Sequence, residues 1–312
     1  MPGGEFDWIA RLLRPLTRGA PEALDLLDDA AVIPSRPGFD LVVTKDALVA
    51  GVHVLPDDPL DLVARKLLRV NLSDLAAKGA EPYGYFLTTA WPTGTTWADR
   101  ETFVRGLEGD GETFGLTLLG GDTVSTPGPL TLTATMLGWV PQGGAILRRG
   151  ARPGDLLAVS GVIGDGWLGL KAARGELDSP ALADRYRLPR PRTDLIDVIR
   201  SQARAAADVS DGLLADAGHI ATASGCAAHV DLHRLPVSRE AADWLAGQAD
   251  VVTALIDLAT GGDDYEIVCA LSPDRPTPDG FTVIGVFADG EGVRARFKGA
   301  DVPVDGLGWT HG

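Results

Sequence analysis

Val70-Asn71-Leu72-Ser73-Asp74-Leu75-Ala76-Ala77-Lys78-Gly79-Ala80-Glu81-Pro82 sets one aspartate in an apolar stretch and closes that stretch with glycine. Read backward, the stretch is the end of a long helix. Asp58 can cap that helix, Pro59 suits its first position, and Gly79 can end it. Asn71, Asp74 and Lys78 are spaced i, i+3, i+7 and share one helical face. A carboxylate among Leu72–Ala77 is costly unless it is paired or bound to a metal. Lys78, four residues on, is one partner; a cation is the other. Tyr83 to Ala90 then reads as a strand, so helix and strand meet at this motif.

Further aspartate motifs are spread along the chain: Leu27-Asp28-Asp29-Ala30, Thr44-Lys45-Asp46, Gly120-Gly121-Asp122-Thr123, Asp208-Val209-Ser210-Asp211-Gly212 and Gly261-Gly262-Asp263-Asp264-Tyr265-Glu266. Most stand at the edge of an apolar run, where a strand or helix is expected to end. Asp40–Thr44 is expected to run as a strand into Thr44-Lys45-Asp46. Leu116–Leu119 is expected to be a strand stopped by Gly120-Gly121. Asp211 is expected to open a helix reaching about Ser224, either as its cap or as a ligand beside Asp208. Carboxylates gathered in one cleft raise each other's pKa. Several hard dications held by oxygen ligands relieve that, and such ions serve phosphate chemistry.

Elsewhere, Phe6, Ile9, Leu12, Leu13 and Leu16 fall on one helical face. Trp97–Phe114 and Thr193–Arg204 read as helices, and Leu130–Val140 as a strand. Further strands are expected at Asp155–Ser160, Ala227–Leu232, Glu266–Leu271, Phe281–Phe287 and Val293–Phe297. The basic, Pro/Gly-containing run Arg148–Gly154 marks a boundary, giving domains 1–148 and 149–312. Irregular mixing of strands and helices predicts an α+β class in two halves rather than a doubly wound sheet.

Of the 312 residues, 45% are hydrophobic and 23% are charged, the profile of a globular protein with ample core. The net charge of −15 argues against a nucleic-acid partner. Cys226 and Cys269 stand far apart, which argues against a disulfide framework and a thiolate zinc site. No apolar run is long enough for a membrane span, and no basic, apolar leader opens the chain, so a cytoplasmic location is expected. The P-loop and the protein-kinase motifs are absent, and Gly161-Val162-Ile163-Gly164-Asp165-Gly166 has the wrong order for a dinucleotide fingerprint.

Taken together, Gly4-Glu5-Phe6, Asp28–Ala31, Gly51-Val52-His53, Val70–Pro82, Gly120–Thr123, Arg152–Asp155, Asp208–Leu213 and Gly261–Glu266 resemble the thiamine-monophosphate kinase family in order and spacing. The resemblance covers almost the whole chain. It implies a two-domain fold like that of aminoimidazole ribonucleotide synthetase, with the N-terminal domains pairing in a β-barrel homodimer. It implies direct in-line transfer from ATP, the co-substrate, to thiamine monophosphate, with several Mg²⁺ ions.

By position, the resemblance implies metal ligands at Asp29, Thr44, Asp46, Asp74, Asp122, Asp208 and Asp211. Lys45 is counted with them, standing where the family has a second hydroxyl residue; it either replaces a cation as a point charge or points away. Gly121, Asp122, Arg148 and Ser210 are expected at ATP, with Phe114 near the adenine. His53, Asp263 and Trp309 are expected at the thiamine phosphate, and Asp122 and Asp211 to carry catalysis. The family usually has Glu where this chain has Asp263, glycine where it has Leu27, and Gly-Trp-Asp-His-Phe where it ends Gly308-Trp309-Thr310-His311-Gly312. Other members of the superfamily fit less well. Selenophosphate synthetase needs an early cysteine and the hydrogenase-maturation relatives a C-terminal one, and this chain has neither.

Overall fold

The computed structural model describes residues 4–310; His311 and Gly312 of the C-terminal motif lie outside them. The chain divides into two compact units, Met1–Leu75 with Ala80–Gly144, and Ala76–Gly79 with Ala145–Gly312.

The first unit holds a four-stranded sheet in the order β1-β4-β2-β3, formed by β1 (Phe39–Val49), β2 (Glu81–Pro92), β3 (Thr117–Thr126) and β4 (Thr131–Pro141). β4 runs antiparallel to both β1 and β2, while β2 and β3 are parallel. The sheet is therefore mixed. Asp46, Ala134, Leu87 and Gly121 form one row across all four strands. Side chains alternate between faces along each strand. On the face of that row, Tyr85, Leu87, Leu132, Ala134 and Met136 are buried. Leu41 and Val43 are exposed on the other.

α1 (Glu5–Trp8) opens the chain, α2 spans Leu60–Ala77 and α3 spans Trp97–Phe114. α2 ends as the glycine predicts. Gly79, at φ +68°, donates to Ala76 O, and Ala80 donates to Leu75 O, the paired bonds of a Schellman cap. Thr96 and Asp99 close a capping box on α3, and Gly115 ends it in the left-handed region.

Two expectations fail in this unit. After Trp8 the helix becomes a π turn over Ile9–Leu13, where Arg14 N–H bonds Ile9 O. That i+5 spacing turns Trp8 and Leu13 inward together. Phe6, placed on the buried face by a 3.6-residue period, is 83% exposed, and Trp8 is buried in its stead. Gly120-Gly121 also does not stop β3. Leu118 pairs with Tyr85 and Gly120 with Phe86, so Leu119 is the extra residue of a bulge. A Cβ at Gly121 would meet Leu87 O at 1.8 Å, so the glycine permits close strand approach.

The second unit is built on a seven-stranded mixed sheet, order β11-β10-β7-β9-β5-β8-β6. Its strands are β5 (Leu156–Ser160), β6 (Ala203–Asp208), β7 (Ala227–Asp231), β8 (Ile267–Leu271), β9 (Phe281–Ala288), β10 (Gly292–Phe297) and β11 (Ala300–Val302). Its helices are α4 (Asp165–Ala173), α5 (Pro180–Arg187), α6 (Ile196–Gln202), α7 (Leu213–Ser224), α8 (Arg239–Ala246) and α9 (Val251–Thr260). The predicted helix Thr193–Arg204 ends at Gln202 and the alanines beyond it form β6. Ala205, Ala206 and Ala207 are buried against β8, so tertiary packing overrides alanine's helix propensity. No helix among the described residues is long and apolar enough to cross a membrane.

Candidate active site

In the first unit, strand β1 and helix α2 bring three predicted ligands together. Thr44 Oγ1 donates to Asp74 Oδ2. Asp46, two residues along β1, lies on the same face. Burial, and then the neighbouring Asp74 carboxylate, push its pKa up to about 7. Two carboxylates and a hydroxyl thus share a partly desolvated spot, and both acids cannot be ionised there without cost. Such an all-oxygen set fits a hard dication. Lys78, the alternative partner of Asp74, donates to the carbonyl of Ala206.

Strand alternation puts Lys45 on the opposite, exposed face from Thr44 and Asp46. Of the two alternatives expected for Lys45, this placement corresponds to the one in which its side chain points away from Thr44 and Asp46. Asp122 pairs with Thr88, one step from the row that contains Asp46. Its side chain therefore also falls on the Lys45 face, outside the Thr44–Asp46–Asp74 group. It accepts from the Thr123 N–H at 2.8 Å. Gly121 lies in the Asp46 row. Asp29 sits on an exposed bend, where its N–H bonds the Asp28 carboxylate.

His53 follows β1 in a tight turn. Its Nδ1 accepts from Val49 N–H at 3.1 Å. That bond places the proton of the neutral ring on Nε2, which leaves a donor on the ring's far edge. Phe114 closes α3 with the Arg69 guanidinium 5.6 Å from its ring centroid.

In the second unit the site is a loop between β6 and α7. Gly212, not Asp211, is the helix N-cap, at φ +134°, and a Cβ there would meet the Thr260 backbone at 2.9 Å. The capping alternative for Asp211 is thereby removed. Asp216, in the first turn of α7, reaches back to the loop: its Oδ2 accepts Ser210 N–H at 3.1 Å and the N–H of the cap residue Gly212 at 3.3 Å. Burial, then repulsion from Asp211, push the Asp216 pKa up to about 7, against the pull of the Arg148 charge. Asp208 is buried at the end of β6.

Backbone bonds tie the predicted substrate contacts to this loop. Asp263 N–H donates to Ser210 O at 2.9 Å, and Trp309 N–H to Asp211 O at 2.8 Å. The Asp263 side chain accepts from the Tyr265 hydroxyl at 3.0 Å. The two other acids of that motif are structural. Asp264 accepts from Gly164 and Gly166 N–H ahead of and within α4. Glu266 accepts from Ser160 and from Arg185 and Arg192.

Sequence reasoning missed Asp216. The signal was available: an acid at 216 stands among Leu213, Leu214, Ala217 and Ile220, the same anomaly that singled out Asp74.

The AIR synthase related protein N-terminal domain model matches residues 27–140, and the corresponding C-terminal domain model matches residues 152–276. Thiamine-monophosphate kinase of Caulobacter vibrioides is 63% identical over 100% of this chain and 92% of the relative. The chain belongs to the thiamine-monophosphate kinase family. Among solved members, the crystal structure of thiamine-monophosphate kinase from Stenotrophomonas maltophilia K279a is 36% identical, with a TM-score of 0.81 over 92% of this chain and 95% of that one. AaThiL complexed with AMPPCP and TMP is 29% identical, with a TM-score of 0.80 over 99% of this chain and 97% of that one. Family membership accounts for the mixed sheets and for the aspartate motifs of both units.

Proposed function

We propose that the chain is a thiamine-monophosphate kinase, which moves the γ-phosphoryl group of ATP onto the phosphate of thiamine monophosphate and releases ADP. The observation that carries this reading is the Asp208–Gly212 loop, to which Asp263 and Trp309 are bonded through the backbone, in a chain 63% identical to a member of that family.

The acceptor oxygen of the thiamine phosphate is already ionised, so no general base is needed. Alignment and charge neutralisation carry the barrier. A bond forms from that oxygen to the γ-phosphorus as the bond to the β–γ bridging oxygen breaks. His53 offers its Nε2–H to the acceptor phosphate, and Asp263 and Trp309 hold the thiamine portion. Arg148 presents planar donors to the ATP phosphates, with Gly121, Asp122 and Ser210. Phe114 is placed near the adenine.

Thr44, Asp46 and Asp74, together with Asp29, Asp122, Asp208 and Asp211, would hold Mg²⁺. Bound there, the ions supply neutralisation of the phosphate charge. The raised pKa of Asp46 beside Asp74 supports that fit, because the pair needs a cation to ionise fully. Asp122 and Asp211 are the residues whose loss is expected to cost most.

The domains proposed are 1–148, with the metal and ATP residues, and 149–312. Pairing of N-terminal domains into a homodimer is supported by the exposed apolar side chains of Leu41, Val43 and Val124 on the sheet face that also carries Lys45. A cytoplasmic location follows the soluble substrates.

The test is incubation with ATP, Mg²⁺ and thiamine monophosphate, following thiamine diphosphate by chromatography, with free thiamine as the control acceptor. Diphosphate formed only from the monophosphate, with matching ADP, is the expected result. ATP bound with no diphosphate formed would overturn the reading.

A further inference from the structure

Beyond its loop bonds, Asp216 poses a separate problem. The residue is fully buried. Its Oδ2 is taken by two N–H groups, but its Oδ1 is closed to water and has no hydrogen-bond partner. An acceptor left that way is costly, and more so if it carries charge. Ligand atoms of Asp211, Asp216 and His219 lie within 4.8 Å of one another. Asp216 and His219 are three residues apart on α7 and share a face. His219 is exposed, so its ring is open to solvent on the outer side of the group.

We propose that Asp211, Asp216 and His219 form a divalent-cation site with two oxygen donors and one nitrogen, selective for a borderline ion of the Zn²⁺ type over Mg²⁺, in which Asp211 is shared with the Mg²⁺ set proposed above. A cation supplies the partner that Asp216 Oδ1 lacks. The nitrogen sets the selectivity, since imidazole suits zinc-like ions while Mg²⁺ dehydrates reluctantly and takes oxygen. Three protein donors with a position left for water is the composition of an open zinc site. The Thr44, Asp46 and Asp74 group has oxygen donors alone and does not share this preference. Arg148 is the opposing charge near Asp216; it weakens binding but does not bond Oδ1.

The test uses the full chain, stripped of metal, in excess Mg²⁺ and without ATP or thiamine phosphate, so that it stands apart from the kinase reading. Co²⁺ is titrated as the spectroscopic probe, and Zn²⁺ is then added to displace it. One Co²⁺ per chain with a visible absorption of low coordination number, displaced by Zn²⁺, is expected. His219→Ala and Asp216→Asn should each weaken binding about tenfold or more. His219 is exposed, so its variant carries the test if Asp216→Asn does not fold. Asp74→Asn should leave the spectrum unchanged. A wild-type spectrum identical to that of aqueous Co²⁺, undiminished binding in His219→Ala, or loss of the spectrum in Asp74→Asn would each overturn the site.

Discussion

The backbone N–H of Trp309 donates to the carbonyl oxygen of Asp211 at 2.8 Å. A residue proposed to touch the substrate is thus fixed to one proposed to bind metal. Gly308 makes the approach possible, because a Cβ there would stand 2.5 Å from the same Asp211 oxygen and 2.8 Å from Ala215 Cβ.

Gly308→Ala should therefore lift the C-terminal segment off the loop. KM for thiamine monophosphate is expected to rise about tenfold, equal to ~1.4 kcal/mol, with KM for ATP changed far less. Steady-state kinetics with each substrate varied checks this; an equal rise in both KM values would mean that the segment does not act through substrate.

Asp211→Asn keeps the shape of the residue and removes the charge. The protein should fold normally by circular dichroism, and turnover should fall by about a hundredfold or more. Near-normal turnover would remove Asp211 from the metal set.

Asp46 gives a pH dependence with a definite sign. Its folded pKa, about 7, lies above its ordinary value of 3.8. Between those values the unfolded chain binds fewer protons, so stability falls as pH rises from about 4 to 7 and the contribution is lost above 7. In chelator, the slope from this group is at most about 1.4 kcal/mol per pH unit. Urea unfolding at several pH values should show it in the wild type and not in Asp46→Asn. Added Mg²⁺ should restore wild-type stability at pH 8 and do little for the variant.

His53→Ala removes the Nε2–H donor but keeps the turn's backbone bonds. KM for thiamine monophosphate should increase about tenfold while ATP affinity holds. An effect confined to ATP would place His53 elsewhere.

Lys45→Ala tests the strand alternation. Because its side chain lies on the face away from Thr44 and Asp46, and Asp122 stands on β3 at the opposite edge of the sheet, kcat per active site should stay within about twofold. A large loss of kcat with an unchanged oligomeric state would return Lys45 to the metal group.

Features with a local cause were legible in the sequence. The helix read at Trp97–Phe114 matches α3 to the residue, because the Thr96–Asp99 capping box and Gly115 that bound it are local, and the cost of a carboxylate in an apolar stretch pointed to Asp74. Features set by long-range packing were not. The π turn that buries Trp8 in place of Phe6 depends on the tertiary seat of Trp8, whose indole bonds Thr123 on β3. Gly120-Gly121 looked like a stop because the bulge at Leu119, opposite Tyr85 and Phe86, leaves no mark in periodicity. The alanines of β6 carry helix propensity locally and strand pairing only in context. Asp216 went unnoticed because it lies outside the short motif it serves.

The 209–211 loop is joined to 263–266 by main-chain bonds: Val209 N–H to Glu266 O, Asp263 N–H to Ser210 O, and Tyr265 N–H to Val209 O. Main-chain bonds do not depend on which side chain a codon specifies. Asp263 itself stands at φ +61°, a left-handed conformation that aspartate tolerates better than most residues, so the floor of the site is held by the main chain while the Asp263 side chain remains at its rim.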